Sequence, residues 1–473
     1  MGSRMRLRQQ RSCLVPDPTR LPGLSRALLQ YVDPARWILV LLRIFSVAAT
    51  VLCVLGPYLV RSATVHLRGE RLESSYHGQQ LARLFEILGG GCLKLGQILS
   101  TRTDLLPRDF ALPLQRLQDS LAPFSAERAR SLVEHALHVS TTELFSEFDP
   151  LPIGSATVAQ VHRAVLRDSS TTVAVKIRRP GVDRLIRTDS LIVMALVRMV
   201  SILPPLRAIP LVEATKQIMR AVEAQTDFEL EAEHHRQIFA LFESGTPVRV
   251  PRLLDQYCTN DLLVMEYFPH VVRITAPELD EKVHRSAVTA GLQALYRMLF
   301  VAGVVHCDLH PGNILVNRDG TVLLLDFGFA TIMPSAERSA FAEFFLCIAF
   351  NNGSAATKIV LDTALRVPPD LNRAAFQQEI GELLGAFSGR IANDFLIAAF
   401  VTSLFNIQRR HRVYGSPGFT MAILSLMVYE GIIRDRCADL DFQKEAIPTL
   451  LASLNSGPTK PQAWSPGIAV WPR

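Results

Sequence analysis

The sequence predicts an α+β protein with two lobes, a small strand-rich lobe followed by a larger helical one, and a helical extension before them. Short β-branched runs are concentrated between residues 146 and 268. Residues 81–145 and 269–452 instead repeat apolar side chains at the three- and four-residue spacing of helices. A chain of 473 residues is also long enough to bury a large core and to divide into two or three domains.

Composition and charge narrow the class of protein. Apolar residues make up 49% and charged residues 20%, the balance of a globular protein that leans slightly hydrophobic. The net charge is +6, from 50 basic and 44 acidic residues, and no nucleic-acid-binding module is recognisable, so we expect no nucleic-acid partner. The seven cysteines are scattered without a Cys-x-x-Cys pair, which favours a reducing compartment over a disulfide framework or a zinc site.

The chain begins with a basic segment, residues 1–36, followed by one strongly apolar run. The run "WILVLLRIFSVAATVLCVLGPYLV" covers 37–60, and its uncharged part, 44–60, is barely long enough to cross a bilayer. Seven arginines precede the run in 1–36 and four follow it in 61–85. This asymmetry would keep the N-terminus in the cytoplasm and place everything after a spanning helix outside.

The middle of the chain changes from helical to strand-like patterns. Within the predicted extension, 81–145, "SAERARSLVEHALHV" has helical spacing, whereas "VAQVHRAVL" and "TTVAVKI" beyond it predict a hairpin closed by the polar "RDSS". Helical patterns return over 183–242, and two further strand-like runs complete the small lobe, which is predicted to cover 146–268.

The second lobe, 269–452, is predicted to be mostly helical, with a helix over 280–302 and further helices up to about 452. Between them, "NILV" and "TVLLLDFG" predict a pair of short strands. The tail, 453–473, is rich in Pro and Gly, and we expect it to be disordered.

A group of polar residues next to these two strands indicates phosphate chemistry. Asp308 follows His306 within "VVHCDLHPGNILV", Asn313 comes five residues later, and Asp326 opens an Asp-Phe-Gly another 13 residues on. Phosphoryl transfer from ATP needs Mg²⁺ bound by carboxylate and amide oxygens, and a carboxylate that orients the attacking group. A lone Asp-Phe-Gly would fit a polar turn equally well, but the joint match in order and spacing fits a kinase signature. We therefore predict Asn313 and Asp326 as Mg²⁺ ligands and Asp308 as the catalytic carboxylate.

A lysine and a glutamate from the first lobe are predicted to complete the site. Lys176 ends the strand-like "VAVK", where kinases carry their phosphate-binding lysine. Such a lysine needs a helix glutamate to hold it, and "QTDFELEAEHH" offers Glu231 as the best candidate and Glu229 as the second choice. A solvated acidic helix face is the alternative interpretation of this segment.

The chain contains neither a Gly-x-Gly-x-x-Gly loop nor a Walker lysine motif. Small residues in "PIGSATVAQVHRAV", 152–165, still allow backbone amides to approach a phosphate, although less freely than glycine would. The candidate nucleotide contacts are Gly154, Ser155, Ala156, Thr157, Val158, Gln160, Lys176, Glu266, Asn313 and Asp326.

Six ordered motifs, from about Leu81 to Leu450, resemble the UbiB/AarF family of atypical kinases. They are "KLGQILSTRTDLLPRDF", "PIGSATVAQVH", "VAVKIRRPGV", "QTDFELEAE", "VHCDLHPGNILV" and "LLLDFGFA". The resemblance implies a bilobal protein-kinase-like fold whose N-terminal helical extension lies over the active site. It assigns a regulatory role there to the Lys-x-Gly-Gln residues Lys94, Gly96 and Gln97, and implies that they block the docking of a protein substrate.

The resemblance also implies ATP and Mg²⁺ as cofactors, with Lys176 on the α- and β-phosphates and Glu231 as its partner. Members of the family resemble ATPases or kinases of small molecules and lipids, and they support ubiquinone biosynthesis. Membrane lipids and quinone-biosynthesis components are therefore the implied partners. The implied location is the cytoplasmic face of a membrane, or an organellar inner membrane in a eukaryote. Since an ATP-dependent enzyme cannot work outside the cell, we expect 37–80 to contain a helix that lies on or dips into the membrane, or packs against the protein, and a linker.

One departure from the family pattern concerns the Glu-x-Asp motif, which is also assigned a regulatory role. Here it is Gln225-Thr226-Asp227, so an amide replaces the acid that pairs with the motif lysine. A buried lysine without a carboxylate would be costly, and we therefore expect Lys94 to pair with Asp227 or Glu223.

Two other functions stay open at the level of the sequence. Small-molecule phosphotransferases of the aminoglycoside or choline kinase kind also carry "HxDLHPGN" and "DFG", but they lack the 94–97 motif and the 152–162 loop. A pseudokinase scaffold that binds nucleotide or lipid is the second alternative, although every catalytic position is occupied. The physiological substrate and the oligomeric state are not fixed by the sequence.

Overall fold

The computed structural model describes residues 34–455 except 71, 102–107, 119–121, 203–210, 243–245, 388–396 and 438. Most of the predicted basic segment, 1–36, and most of the predicted disordered tail, 453–473, lie outside the described residues. The domain boundaries given above stay predictions.

The N-terminal extension is helical. Its elements are α1 (Pro34–Leu67), α2 (Ser74–Leu88), α3 (Gly90–Thr101), α4 (Arg108–Ala111), a 3₁₀ segment (Leu112–Gln118), α5 (Ala126–Leu137) and α6 (Thr141–Leu144). Helix α1 continues through Pro57, so the apolar run belongs to one 34-residue helix. Its segment Leu41–Leu67 is long and apolar enough to cross a membrane, and little of it is buried in the protein.

The small lobe is built on an antiparallel sheet. Its strands are β1 (Phe145–Phe148), β2 (Gly154–Ser155), β3 (Ala159–Leu166), β4 (Thr172–Arg178) and, after β5 (Val248–Arg249), β6 (Leu262–Glu266). The order is β1-β3-β4-β6, with β2 paired to β3. The predicted hairpin is the β3–β4 pair, whose register places Lys176 opposite Val161. Helices α7 (Val182–Val200), α8 (Leu211–Ala224) and α9 (Phe228–Leu241) lie between β4 and β5 in the chain.

The second lobe is mostly helical. Its helices are α10 (Glu281–Tyr296), which continues as a π-helical turn (Arg297–Ala302), α11 (Ser335–Ala349), α12 (Gly353–Asp362), α13 (Arg373–Phe387), α14 (Ile397–Arg410), α15 (Pro417–Arg436) and α16 (Phe442–Asn455). Its short strands are β7 (Val272–Arg273), β8 (Val304–His306), β9 (Ile314–Val316), β10 (Val322–Leu324), β11 (Ala330–Ile332), β12 (Ala364–Arg366) and β13 (Tyr414–Gly415). The predicted strand pair is β9–β10, whereas the pairs β8–β11 and β12–β13 were not predicted.

Within the described residues, three apolar cores hold these parts together. The largest lies in the second lobe around Tyr296, Phe341 and Tyr429. Another joins the extension to the small lobe, because Leu93 of α3 packs with Ile186 of α7 and its neighbours. The third lies between the sheet and α5. The extension is thus packed against the small lobe through a shared core, which fixes the position of α3 relative to the cleft.

Candidate nucleotide-binding site

Lys176 lies at the centre of the candidate site. Its ammonium nitrogen Nζ donates to Glu231 Oε1 at 2.6 Å and to Asp326 Oδ1 at 2.9 Å. Strand β4 is a central strand of the sheet, so Lys176 is only 8% exposed. Glu231 lies in the first turn of α9, which begins where Asp227 accepts a hydrogen bond from the backbone N–H of Leu230. The structure therefore brings together one residue each from the sheet, from α9 and from the second lobe.

The pKa values in this triad follow from burial and charge. Burial alone would lower the pKa of Lys176, but the charges of Asp326 and Glu231 and their hydrogen bonds raise it above its ordinary value. Burial raises the pKa of Glu231 to about 7, against the opposing charge of Lys176. The second oxygen, Glu231 Oε2, is buried and has no hydrogen-bond partner in the described structure, which is consistent with that raised pKa.

Asp326 is carried to the cleft by β10 and has an unusual backbone conformation. Strands β9 and β10 are antiparallel, and Leu325 N donates to Asn313 O at 3.0 Å, so Asn313 and Asp326 lie at the same end of the pair. The φ angle of Asp326 is +58°, in the left-handed region that non-glycine residues rarely occupy. Burial would raise the pKa of Asp326, but Lys176, by charge and hydrogen bond, and Lys94, by charge, hold it well below its usual range. Its side chain is 43% exposed, so the carboxylate is enclosed on the protein side and open to the cleft.

Asn313, a predicted metal ligand, is hydrogen-bonded to the backbone of Asp308. Its amide nitrogen Nδ2 donates to the backbone oxygen of Asp308 at 2.8 Å, which leaves Oδ1 as the atom it can offer to a cation. No group of three or more His, Cys, Asp or Glu residues that could hold a metal ion occurs within the described part of the chain. The candidate ligands are thus two oxygens, from Asn313 and Asp326, as suits Mg²⁺ bound together with phosphates and water.

Buried histidines and Phe327 pack behind residues 304–316, the segment that carries Asp308 and Asn313. The rings of His306 and His235 lie 5.4 and 4.9 Å from that of Phe327, both edge-on. His306 also contacts the backbone oxygen of Leu325 through Nε2 at 3.1 Å. Helix α9, the 304–316 segment and the Asp-Phe-Gly are therefore connected through one buried cluster. Sequence reasoning missed His235, although its position one helical turn after Glu231 places it on the same face.

The 154–160 loop forms a turn between β2 and β3. Gly154 and Ala156 are exposed at this turn, Ser155 is half-buried, and Thr157 and Val158 are buried. Arg179, which the sequence analysis missed, donates to the backbone oxygen of Ala156 and to Ser155 Oγ, both at 2.7 Å. The loop is therefore braced by a side chain from the end of the neighbouring strand. The only sequence signal is its position three residues after Lys176.

Gln160 and Glu266 differ from the other predicted nucleotide contacts. Gln160 is fully buried, and its amide bonds to the backbone N and O of Phe124 at 2.9 and 3.1 Å and to the ring of His162 at 2.8 Å. It therefore ties the extension to β3 rather than offering free hydrogen-bonding atoms to a nucleotide. Glu266 is the last residue of β6, and its carboxylate accepts from the backbone N–H of Arg252 at 3.3 Å.

The Lys-x-Gly-Gln residues lie on α3. Lys94 Nζ is 3.8 Å from Asp308 Oδ2, so the extension reaches the predicted catalytic carboxylate. Because Gly96 has no side chain, α3 packs closely on Phe85 and Leu117. A Cβ atom at position 96 would lie only 2.6 Å from the ring of Phe85 and 2.7 Å from Leu117. Gln97 donates to the backbone oxygen of Leu117 at 2.6 Å and thereby holds α3 to the 3₁₀ segment.

The predicted partners of Lys94 need correction. Its ion pair is with Asp308 rather than with Asp227 or Glu223. Asp227 is exposed and caps α9, which explains why it is not directed at the lysine. Gln225 is buried, and its Nε2 has no hydrogen-bond partner in the described structure. Because an amide cannot neutralise the lysine, Asp308 is the acid that does so.

A family model and several relatives match this chain. The model described as the ABC1 atypical kinase-like domain matches residues 116–360, more than half of the chain and all of the site except the 94–97 motif. A protein of Marinobacter nauticus named "Probable protein kinase UbiB" is 30% identical over 79% of this chain and 69% of its own length. One of the same name from Tolumonas auensis is 29% identical over 83% of this chain and 73% of its own length.

Among solved structures, the Mycobacterium tuberculosis protein Rv3197, solved as a complex with erythromycin, matches with a TM-score of 0.48 and 20% identity. The match covers 83% of this chain and 96% of that one. The family model and the relatives confirm the predicted family, and the predicted bilobal kinase-like fold with its N-terminal extension is also confirmed. The chain belongs to the ABC1 atypical kinase-like family, to which its UbiB relatives also point.

Proposed function

We propose that this protein is a membrane-associated atypical kinase or ATPase that binds Mg-ATP and supports the biosynthesis of ubiquinone or a related isoprenoid quinone, or lipid homeostasis. The observation that supports this most is Lys176 between Glu231 and Asp326, at 2.6 and 2.9 Å. Asp326, the third member of this group, is 43% exposed, so a phosphate or a cation could approach the three charges from the cleft.

The chain's own residues suit the phosphates of ATP. Lys176 would contact the α- and β-phosphates while Glu231 fixes its position, and the exposed backbone at Gly154 and Ala156 would approach them from the loop. Arg179 keeps that loop in place through the backbone of Ala156. These groups bind and orient the nucleotide before any chemistry occurs.

The predicted cation ligands also fit. Asn313 and Asp326 offer hard oxygen atoms at one end of the β9–β10 pair, and the lowered pKa of Asp326 keeps it ionised at neutral pH. When bound, Mg²⁺ would neutralise the charge that develops on the transferred phosphoryl group. Asp308 would orient the attacking hydroxyl or water.

The contact between Lys94 and Asp308 favours water or a small acceptor. A protein hydroxyl would have to reach Asp308 past α3, whose Lys94 lies 3.8 Å from that carboxylate. This favours ATP hydrolysis or transfer to a small molecule over phosphorylation of other proteins. The UbiB name of the relatives and the apolar α1 support a role in quinone or lipid metabolism on the cytoplasmic face of a membrane, or on an organellar inner membrane.

ATP turnover by the purified full chain tests this function. We expect Mg²⁺-dependent turnover that falls about 100-fold in Asp326→Asn, with loss of the Mg²⁺-dependence of binding of a fluorescent ATP analogue. Asp362→Asn, at an exposed carboxylate on α12, is the matched control and should leave both unchanged. Turnover unaffected by Asp326→Asn would contradict the metal assignment. Turnover that does not respond to anionic vesicles and a quinone-precursor phenol would count against the membrane and pathway parts.

A further inference from the structure

Arg179, the residue directly after β4, is hydrogen-bonded to three residues of the 154–160 loop. Its side chain donates from Nε to the backbone oxygen of Ala156 and from Nη2 to Ser155 Oγ, both at 2.7 Å. Its backbone N–H donates to the oxygen of Val158 at 2.8 Å. The loop is therefore held by both the side chain and the backbone of one residue.

The contact with Ala156 determines which way the next amide points. The peptide group between Ala156 and Thr157 is planar and trans, so its N–H lies opposite its carbonyl. Because the carbonyl accepts from Arg179, the N–H of Thr157 is directed away from that side chain. Within the described residues, neither Thr157 N nor Val158 N donates a hydrogen bond, although both residues are buried. Unbonded loop amides of this kind suit the oxygens of a phosphate.

The charge of Arg179 is not neutralised by a neighbouring acid. Burial lowers the pKa of its guanidinium, and no acid in the part of the chain that the structure describes opposes that shift. The side chain nevertheless stays protonated at physiological pH. Arg178, the preceding residue, is instead paired with Asp261. An unpaired cation beside a loop that is proposed to take phosphates favours the binding of an anion there.

The same guanidinium also contacts the N-terminal extension. Nη2 donates to the backbone oxygen of Ala122 at 3.0 Å, and the guanidinium carbon lies 5.6 Å from the centroid of the Phe124 ring, within the range of a cation–π contact. The backbone of Phe124 is held in turn by the amide of Gln160. A displacement of the 122–124 segment would therefore reach the loop through Arg179.

We propose that Arg179 is a positioning residue for the nucleotide, which holds the amides of the 154–160 loop in place for the phosphates and makes that hold depend on the 122–124 segment of the extension. The proposal rests on the proposed function and adds a second place at which the extension affects the site. A lysine at position 179 would keep the charge but not the contacts, because an ammonium group lacks the planar fork of a guanidinium.

Steady-state ATP turnover by the full chain tests the positioning role. We expect Arg179→Lys to raise KM for ATP at least about 10-fold and to change kcat less than about 2-fold, because Arg179 contacts the loop rather than the reacting groups. Arg179→Gln should raise KM further, since it also removes the charge. The matched control is Arg163→Gln, at a half-buried arginine of β3 that pairs with Glu147 and Asp149, and it should leave KM unchanged.

Two results of this experiment would overturn the positioning role. One is a loss of kcat at constant KM in the Arg179 variants, which would indicate a general structural defect. The other is an Arg179→Lys variant with the KM of wild type, which would show that only the charge matters. A fluorescent ATP analogue should bind more weakly by the same factor by which KM rises, as a check that KM reports on binding.

The variant Phe124→Leu tests the dependence on the extension. It keeps the backbone hydrogen bonds to Gln160 and removes the ring beside the guanidinium. We expect KM for ATP to rise about 3-fold in the wild-type background, and not to rise further in the Arg179→Gln background, where no cation faces the ring. Equal effects in the two backgrounds would mean that Phe124 acts without Arg179 and would contradict the coupling.

Hydrogen exchange without nucleotide separates this proposal from the proposed function. The peptide covering 152–160 should exchange at least about 10-fold faster in Arg179→Gln and about 3-fold faster in Phe124→Leu, and at the wild-type rate in Arg163→Gln. Unchanged exchange in the first two variants would overturn the coupling. If wild type neither binds nor hydrolyses ATP, the proposed function fails together with the nucleotide role of Arg179, whereas the exchange rates still decide whether Arg179 connects the loop to the extension.

Discussion

Lys94 of the N-terminal extension and Asp308 of the second lobe form an ion pair of 3.8 Å across the cleft. Both side chains are partly buried, at 15% and 26% exposure. The contact places a positive charge beside Asp308, the carboxylate that is proposed to orient a phosphate acceptor. The extension is thus positioned to affect which acceptor reaches Asp308, and four predictions follow from this and from the neighbouring contacts.

Replacing Lys94 with methionine should increase access to Asp308 without unfolding the protein. A single contact of 3.8 Å at partly exposed side chains is worth no more than about 1 kcal/mol, so the melting temperature should change little. We expect phosphate transfer from radiolabelled ATP to an added phenol, or to the chain itself, to rise several-fold relative to hydrolysis. Lys358→Met, at an exposed lysine of α12, is the control. An unchanged ratio of transfer to hydrolysis would show that Lys94 does not limit the acceptor.

A carboxylate at position 225, where the family motif has an acid, should form an ion pair with Lys94. Gln225 is buried, so a new carboxylate there needs a cation, and Lys94 lies on α3, which packs against α8 just before Gln225. We expect Gln225→Glu to cost less than about 1 kcal/mol of unfolding free energy in the wild-type background, but about 3 kcal/mol when Lys94→Met is also present. A double-mutant cycle by chemical denaturation measures the coupling. Additive effects would mean that Lys94 does not reach the new acid.

Glu231 and Glu229 offer a matched comparison on one helix. Glu231→Gln should lower kcat/KM for ATP by about 10- to 100-fold, because Lys176 would lose the partner that directs it toward the phosphates. Glu229 is exposed on the same turn of α9, and Glu229→Gln should have no effect. Equal losses in the two variants would indicate that the acidic helix face, rather than the contact with Lys176, matters for turnover.

His235 should make the protein sensitive to acid. Burial lowers its pKa from 6.5 to about 4, with the backbone oxygen of Pro251 as its hydrogen-bond acceptor. Between pH 6.5 and 4 the unfolded chain therefore binds more protons at this residue than the folded one, so stability falls as the pH falls. From linkage, this residue alone removes about 2 kcal/mol on going from pH 7.5 to 5.

The variant His235→Leu should lose that part of the acid sensitivity, although it forfeits the hydrogen bond to Pro251 and is less stable at pH 7.5. Denaturation at the two pH values measures the difference, with His135→Leu at an exposed histidine as the control. An unchanged pH dependence would show that other groups, such as the buried His234 and His306, dominate it.

The sequence predicted those parts of the molecule in which local spacing determines the geometry. The β3–β4 hairpin and the β9–β10 pair follow from alternating apolar residues, and these strands place Lys176, Asn313 and Asp326. Glu231 was preferred to Glu229 as the partner of Lys176, and the structure gives it that contact.

The sequence did not predict contacts between segments that are distant in the chain. Lys94 and Asp308 are separated by more than 200 residues, so their pairing depends on how the extension packs against the small lobe. Gln160 likewise bonds to Phe124, an interaction that no spacing within its own strand indicates. The short strands β8 and β11 escaped prediction because each is three residues long and its pairing is set by the surrounding core.

Gly96 determines how closely α3 packs against the rest of the extension. Its missing side chain lets α3 lie directly on Phe85 and the 3₁₀ segment, and a methyl group at this position would overlap that ring. An alanine at position 96 would overlap both Phe85 and Leu117, so α3 would have to shift, and Lys94, half a turn away, would move with it. The distance between Lys94 and Asp308 can therefore be changed by adding one methyl group, without altering any charged residue of the protein.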